Sequence, residues 1–159
     1  MSAPDTAGVV APPPLIALAA IACAALLEWL APIGWIAGAP PFARWLVGGA
    51  LVLGAISLIA AAILRFTRAG TAVQTHAPST ALVTSGVYGV MRNPIYVGFF
   101  CLLLGIALLA AWDWLVLLAF IVMGIIHWGV VRREERYLSA KFGEAYAAYK
   151  ARVRRYGLF

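Results

Sequence analysis

Two short stretches of the chain hold the residue types that do chemistry. The first lies between residues 70 and 96 and contains Gln74, His76, Thr80, Tyr88, Arg92, Asn93 and Tyr96. The second is a charged run, Arg132, Arg133, Glu134, Glu135 and Arg136. A connector as long as the first is functional or disordered in a compact protein, and Leu82, Val83, Val87, Val90 and Met91 make this one too apolar for disorder. It runs into Asn93-Pro94, a helix start whose backbone N–H groups could receive an anion such as a carboxylate. In the second stretch, adjacent helical positions point about 100° apart, so only one of the paired glutamates can face a given surface squarely. Helical spacing sets Glu134 with Leu138, Phe142 and Tyr149 on the side that packs inward, leaving Glu135 to pair with arginines at the surface. His127 precedes Glu134 by one heptad and shares its face in a continuous helix, and a hydrogen-bonded structural role competes there with a catalytic one. No CxxC, HExxH or EF-hand spacing occurs, so no metal is expected. Cys23 and Cys101 sit in apolar runs as small core residues.

The elements that must position these groups are set by composition. The chain has 159 residues, 64% hydrophobic and 11% charged, where a soluble domain has about half and about a quarter. Lipid must therefore solvate much of the surface. The hydrophobic runs, each near the ~20 residues that a bilayer requires, fall at residues 12–30, 45–64, 95–111 and 115–131. The reading is an all-α polytopic membrane protein, a single domain with about four transmembrane helices. Residues 1–11 are expected to be a disordered start, residues 70–94 a packed loop, and residues 132–155 a cytoplasmic amphipathic helical segment that Gly143 breaks in two. Pro12, Pro13 and Pro14 suit a first helical turn. Asp113 between Trp112 and Trp114 reads as a helix N-cap at a hairpin tip. Gly48, Gly49, Gly54, Gly98 and Gly105 suit close helix packing.

The formal charge is +6, yet nucleic acid is not the expected partner, because the basic residues flank hydrophobic spans. With four spans, eleven of the twelve lysines and arginines share one side and only Arg44 is opposite. The positive-inside rule makes that side cytoplasmic and puts both termini there. Glu28 near Trp29 is read as snorkelling to the other face, against a functional intramembrane carboxylate. Arg152, Arg154 and Arg155 with Tyr156 read as an anchor for anionic lipid, with closure of the same cluster over a bound ligand as the alternative.

Two sets of residues resemble a known family. The run Thr80-Ala81-Leu82-Val83-Thr84-Ser85-Gly86-Val87-Tyr88 followed by Arg92-Asn93-Pro94-Ile95-Tyr96-Val97-Gly98, and then Glu134-Glu135, Phe142-Gly143-Glu144, Tyr146, Tyr149-Lys150 and Arg152-Val153, look like the isoprenylcysteine carboxyl methyltransferases, relatives of the phospholipid methyltransferases. The resemblance covers about residues 65–158 and implies a membrane enzyme using S-adenosylmethionine. By position it implies a cofactor pocket lined by Gln74, Thr80, Ala81, Leu82, Val83, Tyr88, Asn93, Pro94, Ile95, Tyr96 and Glu134. The chain departs from the family in three places: Asn93 stands for a histidine, Val130 for an arginine, and Arg154 for a proline. Asparagine cannot carry charge, and the missing arginine passes the catalytic role beside Glu134 to Arg132 or Arg133. The implied reaction is methyl transfer to a lipidic or amphiphilic acceptor (carboxylate, amine or thiol) at the cytoplasmic face of a bacterial inner membrane. An NADPH-dependent reductase of the sterol-reductase type and a non-enzymatic membrane scaffold are the rival readings.

Overall fold

The computed structural model describes residues 6–71 and 77–157. Five α-helices follow one another: α1 (Pro13–Leu30), α2 (Pro41–Arg68), α3 (Pro94–Ala110), α4 (Asp113–Ile126) and α5 (Arg132–Arg152). A 3₁₀ turn, Gly86–Gly89, lies before α3, and a π-helical turn, His127–Val131, joins α4 to α5. Three helices are long and apolar enough to cross a membrane: Pro13–Leu30, Pro41–Arg68 and the continuous Asp113–Arg152. The chain is thus built as an integral membrane protein. The fourth apolar helix, α3, has 17 residues and is about 25 Å long at 1.5 Å per residue.

Proline opens α1, α2 and α3, where its missing N–H leaves nothing unpaired. α2 extends past the expected residues 45–64 at both ends. It starts on Pro40-Pro41, and Arg65 and Arg68 complement the negative end of the helix dipole in its last turn. Gly70 then takes φ +62°, with Gly70 N–H donating to Thr67 O and Thr71 N–H to Phe66 O, a Schellman ending.

α2 runs antiparallel to α3, with Gly48 opposite Gly105 and Ile59 opposite Gly98. A methyl group at Gly98 or Gly105 would stand 2.5 or 2.7 Å from a side chain of α2. Of the five glycines expected to permit packing, Gly48, Gly98 and Gly105 do so. Gly49 and Gly54 have nothing within 4 Å, because they fall on the outward side of α2. α4 packs on α3 and α1, and the core between them is Ala17, Ala20, Ala24, Leu103, Leu115, Ala119, Val122 and Ile126. Leu15, Leu18, Leu53, Ile56, Phe120 and Ile121 stay more than half exposed around the bundle, a surface for lipid tails.

The two ends of the bundle differ. At one, Asp113 accepts hydrogen bonds from the backbone N–H of Gly34 (2.9 Å) and Ile36 (3.1 Å), fixing the α1–α2 connection. Asp113 does not cap its own helix: the N-cap residue is Trp112, and the carboxylate is turned toward a loop of free amides. Glu28 accepts from the N–H of Trp114, so its carboxylate caps α4 rather than lying free. At the other end lie the loop before α3, α5 and the N-terminal segment. Residues 1–5 of the expected loose start are outside the described residues. Residues 6–11 are tied down, with Val10 N–H donating to Gly129 O and Arg133 to Gly8 O. Within α5, Gly143 takes φ +49° and ψ −122°, dividing the helix at the expected residue.

Candidate active site

A cavity of about 110 Å³ opens where the start of α3, the loop and α5 meet. The C-terminal ends of two apolar helices bring its walls together. Phe66 comes from the last turn of α2, and the glutamates come from α5, beyond the apolar run that stops at Val131. Ala81, Leu82, Val83, Tyr88, Asn93, Pro94, Ile95, Tyr96 and Glu134, all expected from the sequence, line it together. Thr80 does not. Its hydroxyl donates to Gly70 O (3.1 Å) and its N–H to Thr71 Oγ1 (2.9 Å), which moors the loop to the end of α2. Gln74 and His76 lie outside the described residues.

Arg132 and Arg133 are also away from the cavity, and both are exposed. Arg132 lies over the Trp128 ring at 4.5 Å, and Arg133 donates to Gly8 O at 2.7 Å. Successive helical residues fan out by about 100°. A register that turns Glu134 inward therefore turns its two predecessors outward. Val130, where the resembled family has arginine, is fully buried in the apolar core.

Glu134 accepts a hydrogen bond from the Tyr96 hydroxyl at 2.8 Å. Burial pushes its carboxyl up to about 7, against the pull of that bond, and the neighbouring charge of Glu135 adds to the rise. Glu135 is the opposite case, and not the surface residue expected. Its side chain is 14% exposed and it takes two guanidinium groups. Arg92 donates at 2.8 Å, and Arg155 donates twice, at 2.9 and 2.7 Å. Burial works to raise this carboxyl, but the Arg155 bonds and the charges of Arg92, Arg155 and Lys150 outweigh it and hold it below its ordinary value.

Tyrosines supply much of the remaining wall: Tyr88, Tyr137, Tyr146 and Tyr149 join Tyr96. Tyr149 donates to Tyr88 O at 2.6 Å, and Tyr137 accepts from Ser79 N–H at 3.1 Å, so α5 holds the loop in place. Burial pushes the Tyr149 hydroxyl up to about 12, and burial with the Glu134 charge lifts that of Tyr88, so both remain neutral donors. Phe66 meets Tyr88 edge-on at 5.2 Å.

Residues 153–157 close the arrangement as a strap. Met91 and Arg154 form an isolated parallel bridge. Arg92 N–H donates to Arg154 O, and both the backbone N–H and the side-chain amide of Asn93 donate to Arg155 O. Tyr156 shares a 2.7 Å hydrogen bond with His127 Nδ1 in the π-helical turn. His127 thus faces the strap, since a wide turn breaks the continuous-helix phase that aligned it with Glu134. Sequence reading missed Arg92, Glu135 and three of the tyrosines as site residues, and weighed Arg155 there only as the lesser alternative to a lipid anchor. Their partners are 20 to 61 residues away in the chain, and only the charged residues of the loop and the tyrosine spacing of α5 hinted at them.

A family model described as phospholipid methyltransferase matches residues 43–145, which is more than half of the chain. A protein-S-isoprenylcysteine O-methyltransferase of Schizosaccharomyces pombe is 38% identical over 72 residues. That alignment takes in 45% of this chain and 30% of the yeast protein, so the chain spans less than a third of that relative. No solved structure matches the chain. The match takes in most of α2, the loop, α3 and the glutamate pair of α5, which supply most of the cavity's lining, and the chain belongs to the phospholipid methyltransferase family.

Proposed function

We propose that the protein transfers a methyl group from S-adenosylmethionine to a lipidic or amphiphilic acceptor at the cytoplasmic face of a bacterial inner membrane. The observation that carries the reading is Glu134, a carboxylate with a raised pKa, held by Tyr96 in a cavity walled by five tyrosines. Those residues fit the cofactor. Aromatic faces attract a cation, and a desolvated carboxylate ionises readily once a cation neutralises it. When bound, S-adenosylmethionine supplies the electrophilic methyl group. Glu134 provides the counter-charge, Tyr96 fixes its orientation, and Tyr88 and Tyr149 narrow the cavity against water. Methyl transfer is an in-line displacement, so positioning supplies much of the catalysis.

The topology supports the same reading. Four apolar helices alternate in direction, and eleven of twelve basic residues gather at the end with the cavity. With that end cytoplasmic, the cavity meets a polar cofactor from the cytosol and an amphiphile from the bilayer. Calorimetry on the purified protein with S-adenosylmethionine, S-adenosylhomocysteine and NADPH tests the reading, followed by transfer of labelled methyl into a lipid extract. Binding of the two S-adenosyl ligands is the expected result. Binding of NADPH alone, or of nothing by a folded sample, refutes it.

A further inference from the structure

The segment before α1 is also a wall of the cavity. Ala7 lines it, although the family match begins only at residue 43. Burial alternates along the segment: Ala7, Val9 and Ala11 are partly buried, and Gly8 and Val10 are exposed. Val9 packs on the core, and Gly8 turns the chain with φ +56°. The segment follows one row of the π-helical turn and α5. Val10 N–H donates to Gly129 O at 3.3 Å, and Arg133 reaches Gly8 O at 2.7 Å. Residues 129, 133 and 137 stand at successive turns of one face, and Tyr137 lines the cavity. Gly129 lies where the ordinary helical ladder is interrupted, which suits its carbonyl to an outside donor. It also has to be glycine, because a Cβ there would stand 3.2 Å from Val10 Cγ2. The loop wall, by contrast, is held from several sides, by Tyr149, Tyr137 and Thr71. The N-terminal wall hangs on one long backbone bond and one exposed arginine. Local opening starts where few buried contacts and exposed hydrogen bonds hold the chain.

We propose that residues 6–10 are a movable wall of the cavity, that Arg133 is its latch, and that the tail of the amphiphilic acceptor enters where this wall lifts. The segment runs straight into α1, a helix long and apolar enough to span the bilayer, so it stands where the cavity meets lipid. Its own residues Val9, Val10 and Ala11 are apolar. Pro12, Pro13 and Pro14 give it a stiff root, and lifting breaks no bond within α5. Arg133 does not line the cavity. It acts through Gly8, as a positioning residue at the end of a flexible stem whose release leaves α5 intact. The identity of what enters rests on the methyl-transfer reading; the motion of the wall does not.

The experiment has a labelling arm and a locking arm, both in a chain carrying Cys23→Ala and Cys101→Ala. In the first, Leu138→Cys on the cavity wall reports access in lipid nanodiscs. N-dodecylmaleimide approaches it from the bilayer and a charged maleimide from water. Losing one exposed hydrogen bond raises the open population, and so the N-dodecylmaleimide rate, by about fivefold in Arg133→Gln. The charged reagent should gain less than about twofold, and Arg133→Lys, which keeps a donor, should stay within about twofold for both. Arg132→Gln serves as control and changes neither rate, because Arg132 lies on Trp128 instead. An unchanged N-dodecylmaleimide rate in Arg133→Gln overturns the proposal, and so does an equal rise for both reagents, which is general loosening. In the locking arm, a Cβ at 129 would stand 3.5 Å from that of Val10, within the span of a disulfide. Val10→Cys with Gly129→Cys therefore ties the segment to the π-helical turn when oxidised. Methyl transfer into a lipid extract should fall by about fivefold on oxidation and recover on reduction, while affinity for S-adenosylhomocysteine stays within about twofold. Full turnover with the bridge verified by mass spectrometry overturns the proposal. Absence of S-adenosylhomocysteine binding to the wild type refutes methyl transfer instead, and labelling then decides the movable wall alone.

Discussion

Tyr96→Phe isolates the hydrogen bond on which the site's electrostatics turn. The ring stays, so its face still attracts a cation, but the hydroxyl 2.8 Å from Glu134 is gone. A hydrogen bond to a charged group is worth about 1.5–3 kcal/mol, and one pKa unit corresponds to about 1.4 kcal/mol. Water admitted to the vacated space recovers part of the loss, so a rise of about one unit is expected. Glu134 then moves from about 7 to about 8. Only the ionised carboxylate attracts the sulfonium, so affinity for S-adenosylmethionine climbs with pH through that midpoint. At neutral pH the variant binds about fivefold more weakly than the wild type, and the gap closes by about pH 9. S-adenosylhomocysteine has no sulfonium charge and its affinity stays nearly level. Folding has the reverse sign. Glu134 is raised above its ordinary 4.5 to about 7, so it holds a proton more firmly in the folded chain. Its stabilising contribution is full below the lower value and is lost as pH rises through the upper one. The assay is calorimetric titration with both ligands from pH 6 to 9 in detergent. A flat S-adenosylmethionine profile, an identical profile for the neutral ligand, or an unmoved midpoint in Tyr96→Phe would refute the assigned role of Glu134.

Three further expectations concern the frame of the site. Gly105→Ala places a methyl 2.9 Å from Gly48 O and 2.7 Å from Val52 Cγ2; it should cost about 1–3 kcal/mol and lower the midpoint of thermal unfolding, whereas Gly49→Ala should leave it the same or higher. Glu135→Gln leaves two guanidinium groups facing each other without a full counter-charge and should destabilise the protein by about 3 kcal/mol, seen as a lower unfolding midpoint in the same scan. In intact cells a membrane-impermeant maleimide should label Trp35→Cys and spare Glu144→Cys. The converse pattern would invert the proposed orientation, and labelling of both would break the alternation of spans.

Much of the frame was legible because hydropathy and punctuation are local. Pro13 and Pro94, the alanine-rich α1 and the break at Gly143 announce themselves within a few residues. The same holds for the apolar wall from Ala81 to Val83 and for Tyr88, Asn93 and Tyr96, which the resemblance carried by position. Contacts that close over distance were illegible. Glu135 looked like a surface residue because its two arginines come from residue 92, before α3, and residue 155, after α5. Asp113 looked like a cap because the amides it serves belong to a loop 77 and 79 residues earlier. The π-helical turn has no signal in composition, yet it sets the phase of α5 and so decides which arginines of the 132–136 run face outward.

The strap at residues 153–157 has a consequence for how the protein is made. Every described residue that lines the cavity precedes it in the chain, and a growing chain emerges N-terminal end first. The apolar helices can enter the bilayer and pair while the strap is still untranslated. During that interval Glu135 has only Arg92 as a partner, and Asn93 lacks its acceptor on Arg155. Insertion and acquisition of a finished site are therefore separate events in the life of each molecule, with the second waiting on the first to end. A chain that ended short of residue 153 would keep its apolar helices and every residue that lines the cavity, while Glu135 and Asn93 would lack the partners that Arg155 gives them.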